Sequence, residues 1–201
     1  MKLHPSWQAE GLEAGCDEAG RGCLAGPVTA AAVIWHDVPT DLSLRDSKKL
    51  PPRQRESWAA RIQAEASAWA VAHVSPAGID QLNILHASFT AMHQALDKLS
   101  LRPQQLLIDG NRFRPYQDLP HQCFVGGDDR FVAIAAASIL AKVHRDRFMR
   151  QLHERYPAYA WKSNKGYPTK YHREALNQVG PSPWHRRSFL LKSKQAYLDF
   201  K

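Results

Sequence analysis

Acidic side chains stand at three points of the chain where apolar sequence meets a glycine. Asp17 and Glu18 follow a short apolar segment, Asp109 ends an apolar run, and Asp128 stands just before another. Carboxylates that share one pocket repel each other and have raised pKa values unless a cation neutralises them. Their oxygen atoms suit Mg²⁺ or Mn²⁺, and two such ions can activate water for attack on a phosphodiester. We therefore predict that the four carboxylates form one divalent-metal site.

Each acidic residue also has a plainer explanation. Asp17 and Glu18 could be a loop pair or charges at a helix N-terminus. Asp109 and the glycine after it are a common hairpin-turn pair. Asp128 or its neighbour Asp129 could cap the helix that follows. The residues alone leave these alternatives open, although the sequence has no motif of a phosphate-binding loop, a serine hydrolase or a zinc protease.

The net charge of +8 is unevenly distributed along the chain. Residues 142–201 contain 14 Lys and Arg against four Asp and Glu, whereas residues 1–141 contain 13 against 15. A basic excess at one end of a chain indicates a polyanionic partner, most often nucleic acid, and a solvated basic face is the alternative. Together with an acidic metal site, this charge favours a divalent-metal-dependent nuclease.

The cysteines and the hydropathy pattern bear on location. Cys16, Cys23 and Cys123 are odd in number and lack zinc-knuckle spacing, so we expect free thiols in a reducing environment. The first 15 residues contain no signal-peptide-like apolar segment. The longest apolar run, residues 131–141 with Ser138 as its single polar member, is too short to cross a bilayer. We expect a cytoplasmic protein without membrane contact.

Apolar segments with strand and helix periodicity alternate along the chain, which predicts an α/β fold with a mixed sheet. Strands are predicted to end at Asp17 and to cover residues 28–35, 69–73, 106–108 and 123–125. Helices are predicted over residues 51–66, 83–99, 132–153 and 171–178. We predict a catalytic domain over residues 1–155 and a basic C-terminal extension over residues 156–201 that packs on it as one structural unit.

Six ordered motifs resemble those of bacterial ribonuclease HII, a type 2 ribonuclease H. They are CDEAGRGCLAGPV at 16–28, DSKKL at 46–50, IDGN at 108–111, GD at 127–128 with AAASILAK at 135–142, NKGYPT at 164–169 and GPSPWHRRSF at 180–189. The resemblance spans roughly residues 11–189. One departure is Val132, where the family pattern leads us to expect proline.

The resemblance implies a ribonuclease-H-like fold: a mixed five-stranded sheet flanked by helices, with a C-terminal helical extension. It implies hydrolysis of the RNA strand of RNA–DNA hybrids and cleavage 5′ of ribonucleotides embedded in duplex DNA, leaving 3′-hydroxyl and 5′-phosphate ends. The family's catalytic metal ligands, which hold two Mg²⁺ or Mn²⁺ ions, fall on Asp17, Glu18, Asp109 and Asp128. Asp129 competes for the fourth position, and Asp128 is preferred for its ten-residue separation from Ser138.

The resemblance also assigns substrate contacts. They fall on the loop Gly20-Arg21-Gly22, on Tyr167, and on Lys48 and Lys142 as phosphate contacts. Glycines let a backbone approach a ribose closely, and an aromatic ring can stack on a nucleotide whose 2′-hydroxyl distinguishes RNA from DNA. His185, Arg186 and Arg187 could either contact the duplex or make structural hydrogen bonds.

Two other functions remain open at this point. One is a nuclease or strand-transfer enzyme of the same fold that acts on DNA, which would cut an all-DNA duplex as well as one with a ribonucleotide. The other is a non-catalytic nucleic-acid-binding protein, whose properties would not change in Asp109→Asn. We expect a monomer.

Overall fold

The strands are β1 (Glu13–Ala19), β2 (Val28–Ile34), β3 (Ala68–Val74), β4 (Gln105–Asp109) and β5 (His121–Phe124). In the computed structural model, which describes residues 3–8, 11–39 and 50–189, they form one sheet in the order β3-β2-β1-β4-β5. β1, β2 and β3 pair antiparallel, whereas β4 is parallel to both β1 and β5. The predicted α/β class and mixed five-stranded sheet are confirmed.

The helices are α1 (Pro52–Glu65), α2 (Pro76–Leu96), α3 (Val132–Arg155), α4 (Trp161–Asn164) and α5 (Lys170–Val179). α2 covers one face of the sheet, and α1 and α3 cover the other. The first ten residues of α3 are buried all round, as an apolar run without a polar face requires. No helix in the described part of the chain is both long and apolar enough to span a bilayer.

The predicted start of α2 at Asn83 was wrong, because the helix begins seven residues earlier. Ser75 accepts a hydrogen bond from the amide of Gly78, and Pro76 occupies the first turn, where its missing N–H costs nothing. At Asn83 the backbone has φ 62°, and its side chain accepts from the amides of Leu85 and His86. Asn83 thus caps a second helical segment at a kink, which explains why periodicity indicated a helix start there.

Side chains alternate across β1, and this alternation decides which residues meet α3. Ala14 and Cys16 belong to the core beneath α2. Gly15 faces the other way and lets α3 approach closely, since a Cβ atom there would lie 2.2 Å from the carbonyl carbon of Ala133. The residue two positions further along β1, Asp17, therefore faces the same helix.

The C-terminal elements pack on the emerging half of α3 and on the loop between β1 and β2. Tyr159, Trp161 and Ala175 form a buried cluster with Met149 and Leu152 of α3. Backbone bonds fasten this cluster to the loop: the amide of Leu24 donates to Gly166, that of Gly26 to Trp184, and that of Arg186 to Leu24, at 2.8–2.9 Å. The loop between β1 and β2 is thus held in place by the C-terminal segment.

Candidate active site

Asp17 and Asp109 lie side by side at the same end of two parallel strands. Cys16 of β1 is in register with Ile108 of β4, so the next residue in each strand is an aspartate. Because the two strands are parallel and in register, both carboxylates project from the same face of the sheet. Two of the plainer explanations therefore do not apply: Asp17 lies within a strand, and Asp109 does not turn a hairpin.

Asp17 is buried, with only 5% of the residue exposed. Its pKa is raised well above the ordinary value, first by burial and then by the negative charges of Glu18 and Asp109. Hydrogen bonds from the Ser138 hydroxyl of α3 and from the Glu18 amide, at 2.7 Å, oppose this shift. The site thus holds a buried carboxylate that is destabilised by its acidic neighbours and would be stabilised by a cation.

A short 3-10 turn before α3 brings the third acidic segment to Asp109. The amide of Gly127 donates to Oδ1 of Asp109 at 2.8 Å. The next residue, Asp128, is 5% exposed, whereas Asp129 is exposed. The N-cap of α3 is Phe131, so neither aspartate caps that helix. Burial beside Asp109 favours Asp128 over Asp129 as the fourth member of the site.

Glu18 is half-buried and accepts a hydrogen bond from the Arg21 guanidinium at 3.1 Å. Within residues 3–8, 11–39 and 50–189, no three Asp, Glu, His or Cys side chains are grouped closely enough to make a ready-made metal centre. The chemistry of the donors nevertheless fits a divalent ion, because a buried carboxylate oxygen repelled by a second carboxylate is a hard, anionic ligand.

Two fully buried arginines hold the loop at residues 20–27 through hydrogen bonds to its backbone carbonyls. Arg186 donates to the carbonyl oxygens of Gly20, Arg21 and Gly26 at 2.7–3.0 Å. Arg145 of α3 donates to those of Ala25, Pro27 and Lys165 at 2.9–3.0 Å. With carbonyls held inward on both sides, the loop is fixed before any ligand binds.

The fold requires a glycine at one of the two loop positions but not at the other. Gly20 has φ +93°, and a Cβ atom there would lie 1.9 Å from Nε of Arg145. Gly22 has no heavy atom within 4 Å of such a Cβ position, so the fold itself does not require a glycine there. The open space in front of Gly22 is available for close approach of a ligand. Arg21 between them is exposed and pairs with Glu18.

Tyr167 lies directly beside this loop. Its hydroxyl donates to the Cys23 thiol, and burial together with this bond raises the pKa of the phenol. Lys142 lies 5.5 Å and Arg145 5.9 Å from the centre of its ring. Tyr167 as a whole residue remains 39% exposed, so part of it is accessible to a ligand. Lys142 is also bonded to Asp146 at 2.8 Å.

Buried histidines fix the backbone of Tyr167, and their tautomers follow from their partners. Nδ1 of His172 lies 2.9 Å from the Tyr167 carbonyl, which only accepts, so this nitrogen carries a proton. Nδ1 of His185 accepts from the Ser182 amide at 2.9 Å, so the proton of neutral His185 is on Nε2. That Nε2–H donates to Nε2 of His172 at 3.0 Å, which also accepts from Trp161. Burial lowers the pKa of both imidazoles, that of His185 to about 4.

His185, Arg186 and Arg187 all make hydrogen bonds within the protein. His185 and Arg186 are buried and make structural hydrogen bonds, while the amide of Arg187 donates to Asp80 at 2.9 Å. Sequence reasoning missed Arg145 and did not assign a contact to Ser138. Ser138 could have been found as the single polar residue of a buried helix, whereas a basic residue in a basic segment carries no such signal. Lys48 lies outside the described residues.

A mixed five-stranded sheet with helices on both faces, whose neighbouring strands β1 and β4 carry the paired aspartates, is a ribonuclease-H-like fold. The ribonuclease HII family model matches residues 14–192. The chain is 54% identical to ribonuclease HII of Phocaeicola vulgatus, over 98% of both proteins. It is 55% identical to ribonuclease HII of Bacteroides thetaiotaomicron, over 98% of this chain and 100% of that protein.

Solved structures of similar proteins have the same fold as this chain. Ribonuclease H2 of Pyrococcus horikoshii superposes with a TM-score of 0.75 at 27% identity, covering 88% of this chain and 93% of the other. The ribonuclease HII in a PCNA complex from Archaeoglobus fulgidus gives 0.73 at 27%, covering 88% and 94%. The chain belongs to the ribonuclease HII family. It is an endonuclease that acts on RNA–DNA hybrids.

Proposed function

We propose that the chain cuts the RNA strand of hybrids and also cuts 5′ of single ribonucleotides in duplex DNA, leaving 3′-hydroxyl and 5′-phosphate ends. The observation that carries the proposal is the Asp17 carboxyl, whose pKa is raised by burial and then by the charges of Glu18 and Asp109, beside a glycine loop with one open face. A carboxylate in this state gains most from a divalent cation, which is what phosphodiester hydrolysis in this family requires.

Asp17, Glu18, Asp109 and Asp128 would hold two Mg²⁺ or Mn²⁺ ions. When bound, such ions lower the pKa of water and neutralise the charge that develops on the leaving oxygen. The protein's own part is to keep the donors in place. Ser138 and the Glu18 amide orient Asp17, and the Gly127 amide orients Asp109. Prearranged ligands of this kind reduce the reorganisation needed during the reaction.

Selection of a ribonucleotide is assigned to the Gly20-Arg21-Gly22 loop and Tyr167. Arg186 turns the carbonyls of Gly20 and Arg21 inward, and the open side of Gly22 admits a sugar. Tyr167 is partly exposed beside the same loop and would stack on the neighbouring nucleotide. Lys142, Lys48 and the basic C-terminal segment would contact backbone phosphates, so binding should weaken as salt increases.

Cleavage-site mapping on a labelled duplex with one ribonucleotide tests this proposal. We expect one cut 5′ of the ribonucleotide with Mg²⁺ or Mn²⁺, no cut with chelator, and no cut in the all-DNA duplex. Gly22→Ala is the informative variant, because its fold should be unchanged while its ability to admit a ribose is lost. Equal cutting of the two duplexes would instead indicate a nuclease that acts on DNA.

A further inference from the structure

A groove of about 580 Å³ opens next to Tyr167, between α1, α3 and the turn at residues 163–165. Its charged lining side chains are Arg53, Arg55, Glu56, Lys142, Asp146, Arg150 and Lys165. Five of these seven are cationic and two are anionic. The groove is therefore a basic channel that begins at the proposed substrate tyrosine.

Each of the two carboxylates in the groove interacts with two cationic side chains. Glu56 accepts from both Arg147 and Arg150, at 2.6 and 2.7 Å. Asp146 is bonded to Lys142 at 2.8 Å and lies 3.6 Å from a guanidinium nitrogen of Arg55. Each acidic residue thus faces two cations, which leaves an excess of positive charge.

Arg53 and Lys165 add further positive charge to the groove. Within the described residues, neither side chain is in an ion pair with an acidic residue. Burial lowers the pKa of the Lys165 amine; the Asp146 carboxylate opposes this shift, and the neighbouring cations Arg150 and Lys142 add to it. The groove thus carries an excess of cationic side chains, which favours the binding of a phosphate.

Lining residues of α3 follow one row along the helix. Ser138 bonds to Asp17, and Lys142, Asp146 and Arg150 follow at intervals of four residues. At about 1.5 Å of rise per residue, Arg150 lies about 18 Å along the axis from Ser138. With about 3.4 Å of duplex axis per phosphate on one strand, that distance corresponds to about five nucleotides.

We propose that this groove binds backbone phosphates of one duplex arm, several nucleotides from the cleaved bond, through Arg53, Arg150 and Lys165. The proposal rests on the proposed function, since it takes the carboxylate site as the point of cleavage. It makes the groove a second anchoring site that holds the substrate independently of ribonucleotide recognition. Contacts of this kind contribute affinity without reading sequence.

Arg150→Gln and Arg147→Gln form a matched pair that tests the groove. Both side chains are about equally exposed, at 44% and 43%, and both pair with Glu56, but only Arg150 lines the groove. Binding to a ribonucleotide-containing duplex is measured by fluorescence anisotropy with chelator present, over a range of salt. We expect Arg150→Gln to weaken binding about 3- to 10-fold and to reduce the salt slope by about 0.9, the value for one lost phosphate contact.

Arg147→Gln should change the affinity less than 2-fold. Equal effects of the two variants would overturn the proposal, because the residues would then act only through Glu56 or through net charge. Arg53→Gln is a second variant, which removes no ion pair to an acidic residue among the described residues, and it should behave as Arg150→Gln does.

Shortening one duplex arm at a time gives the position of the contact. An arm of about three base pairs, or about 10 Å, does not reach the 18 Å to Arg150. We expect the effect of Arg150→Gln to vanish on trimming one particular arm, and its persistence on both trimmed duplexes would overturn the proposal. Metal-dependent cleavage by the unchanged protein is measured on the same duplexes, so failure of the proposed function is seen separately from failure of the groove.

Discussion

Removing the charge of Asp17 should make the metal-free protein more stable while abolishing cleavage. The Asp17 carboxyl is buried, and the charges of Glu18 and Asp109 raise its pKa. A carboxyl group whose folded pKa lies above its unfolded pKa takes stability away once the pH exceeds the unfolded value. At neutral pH, Asp17→Asn removes that unfavourable charge and keeps an oxygen that can accept from the Glu18 amide.

The expected magnitude follows from ordinary protein energetics. Relief of a buried like-charge contact in a functional site is worth about 1 kcal/mol, which raises Tm by about 2–4 °C in a chain of this length. Stabilisation of the protein by a bound metal ion, in contrast, should require the Asp17 carboxylate. An ion at about 100 times its Kd stabilises the unchanged protein by about 2.7 kcal/mol, or roughly 5–11 °C.

Thermal unfolding in chelator and in excess Mn²⁺ measures both effects. Asp17→Asn should have the higher Tm in chelator and should gain little from Mn²⁺, whereas the unchanged protein should gain several degrees. Asp129→Asn is the matched control, because Asp129 is exposed and should show neither change. If Asp17→Asn unfolds at a lower temperature in chelator, or gains as much from Mn²⁺ as the unchanged protein, then the description of a strained, cation-dependent site is wrong.

Three further predictions concern the loop and the residues that hold it. Gly22→Ala should keep Tm within about 2 °C but lose most cleavage, whereas Gly20→Ala should unfold more easily, because its Cβ would meet Arg145. Arg186→Met removes the guanidinium donor from three carbonyls, two of these bonds being buried and one partly buried, and should cost about 3 kcal/mol in urea unfolding, with partial recovery in Arg186→Lys. Because the pKa of His185 falls from 6.5 to about 4 on folding, the unfolded chain binds more protons between these values. Stability should therefore decrease on the order of 2–3 kcal/mol as pH falls from about 6.5 to about 4, and less in His185→Gln; a flat urea-unfolding profile would contradict this assignment.

The sheet and the acidic pair were predictable because their causes are local. Apolar runs bounded by glycine mark the strands that carry Asp17 and Asp109, and parallel neighbours place residues at equivalent positions side by side. The buried start of α3 was predictable from an apolar run with no polar face. Burial also distinguishes Asp128 from Asp129, a choice that the sequence made only through its resemblance to a family.

The contacts that hold the loop between β1 and β2 could not be predicted. Arg145 and Arg186 lie 118 to 166 residues from the loop carbonyls that they bind, and in sequence they are two of many basic residues in the last third of the chain. Backbone carbonyls are their partners, so no complementary side chain marks the pairing. The tautomers of His172 and His185 likewise depend on contacts that appear only when α5 and the last segment pack together.

Val132, at the position where the family pattern leads us to expect proline, makes a backbone hydrogen bond that a proline could not make. The amide of Val132 donates to the carbonyl of His4 at 3.0 Å, and the amide of His4 donates to Arg130 at 2.7 Å. A proline has no N–H, so the expected residue could not make the first of these bonds. His4 thus pairs with the residues that follow Asp128, whereas the Gly127 bond to Asp109 precedes it in the chain. The turn that carries Asp128 is thus held from both ends, and its position depends on the first residues of the chain as well as on α3.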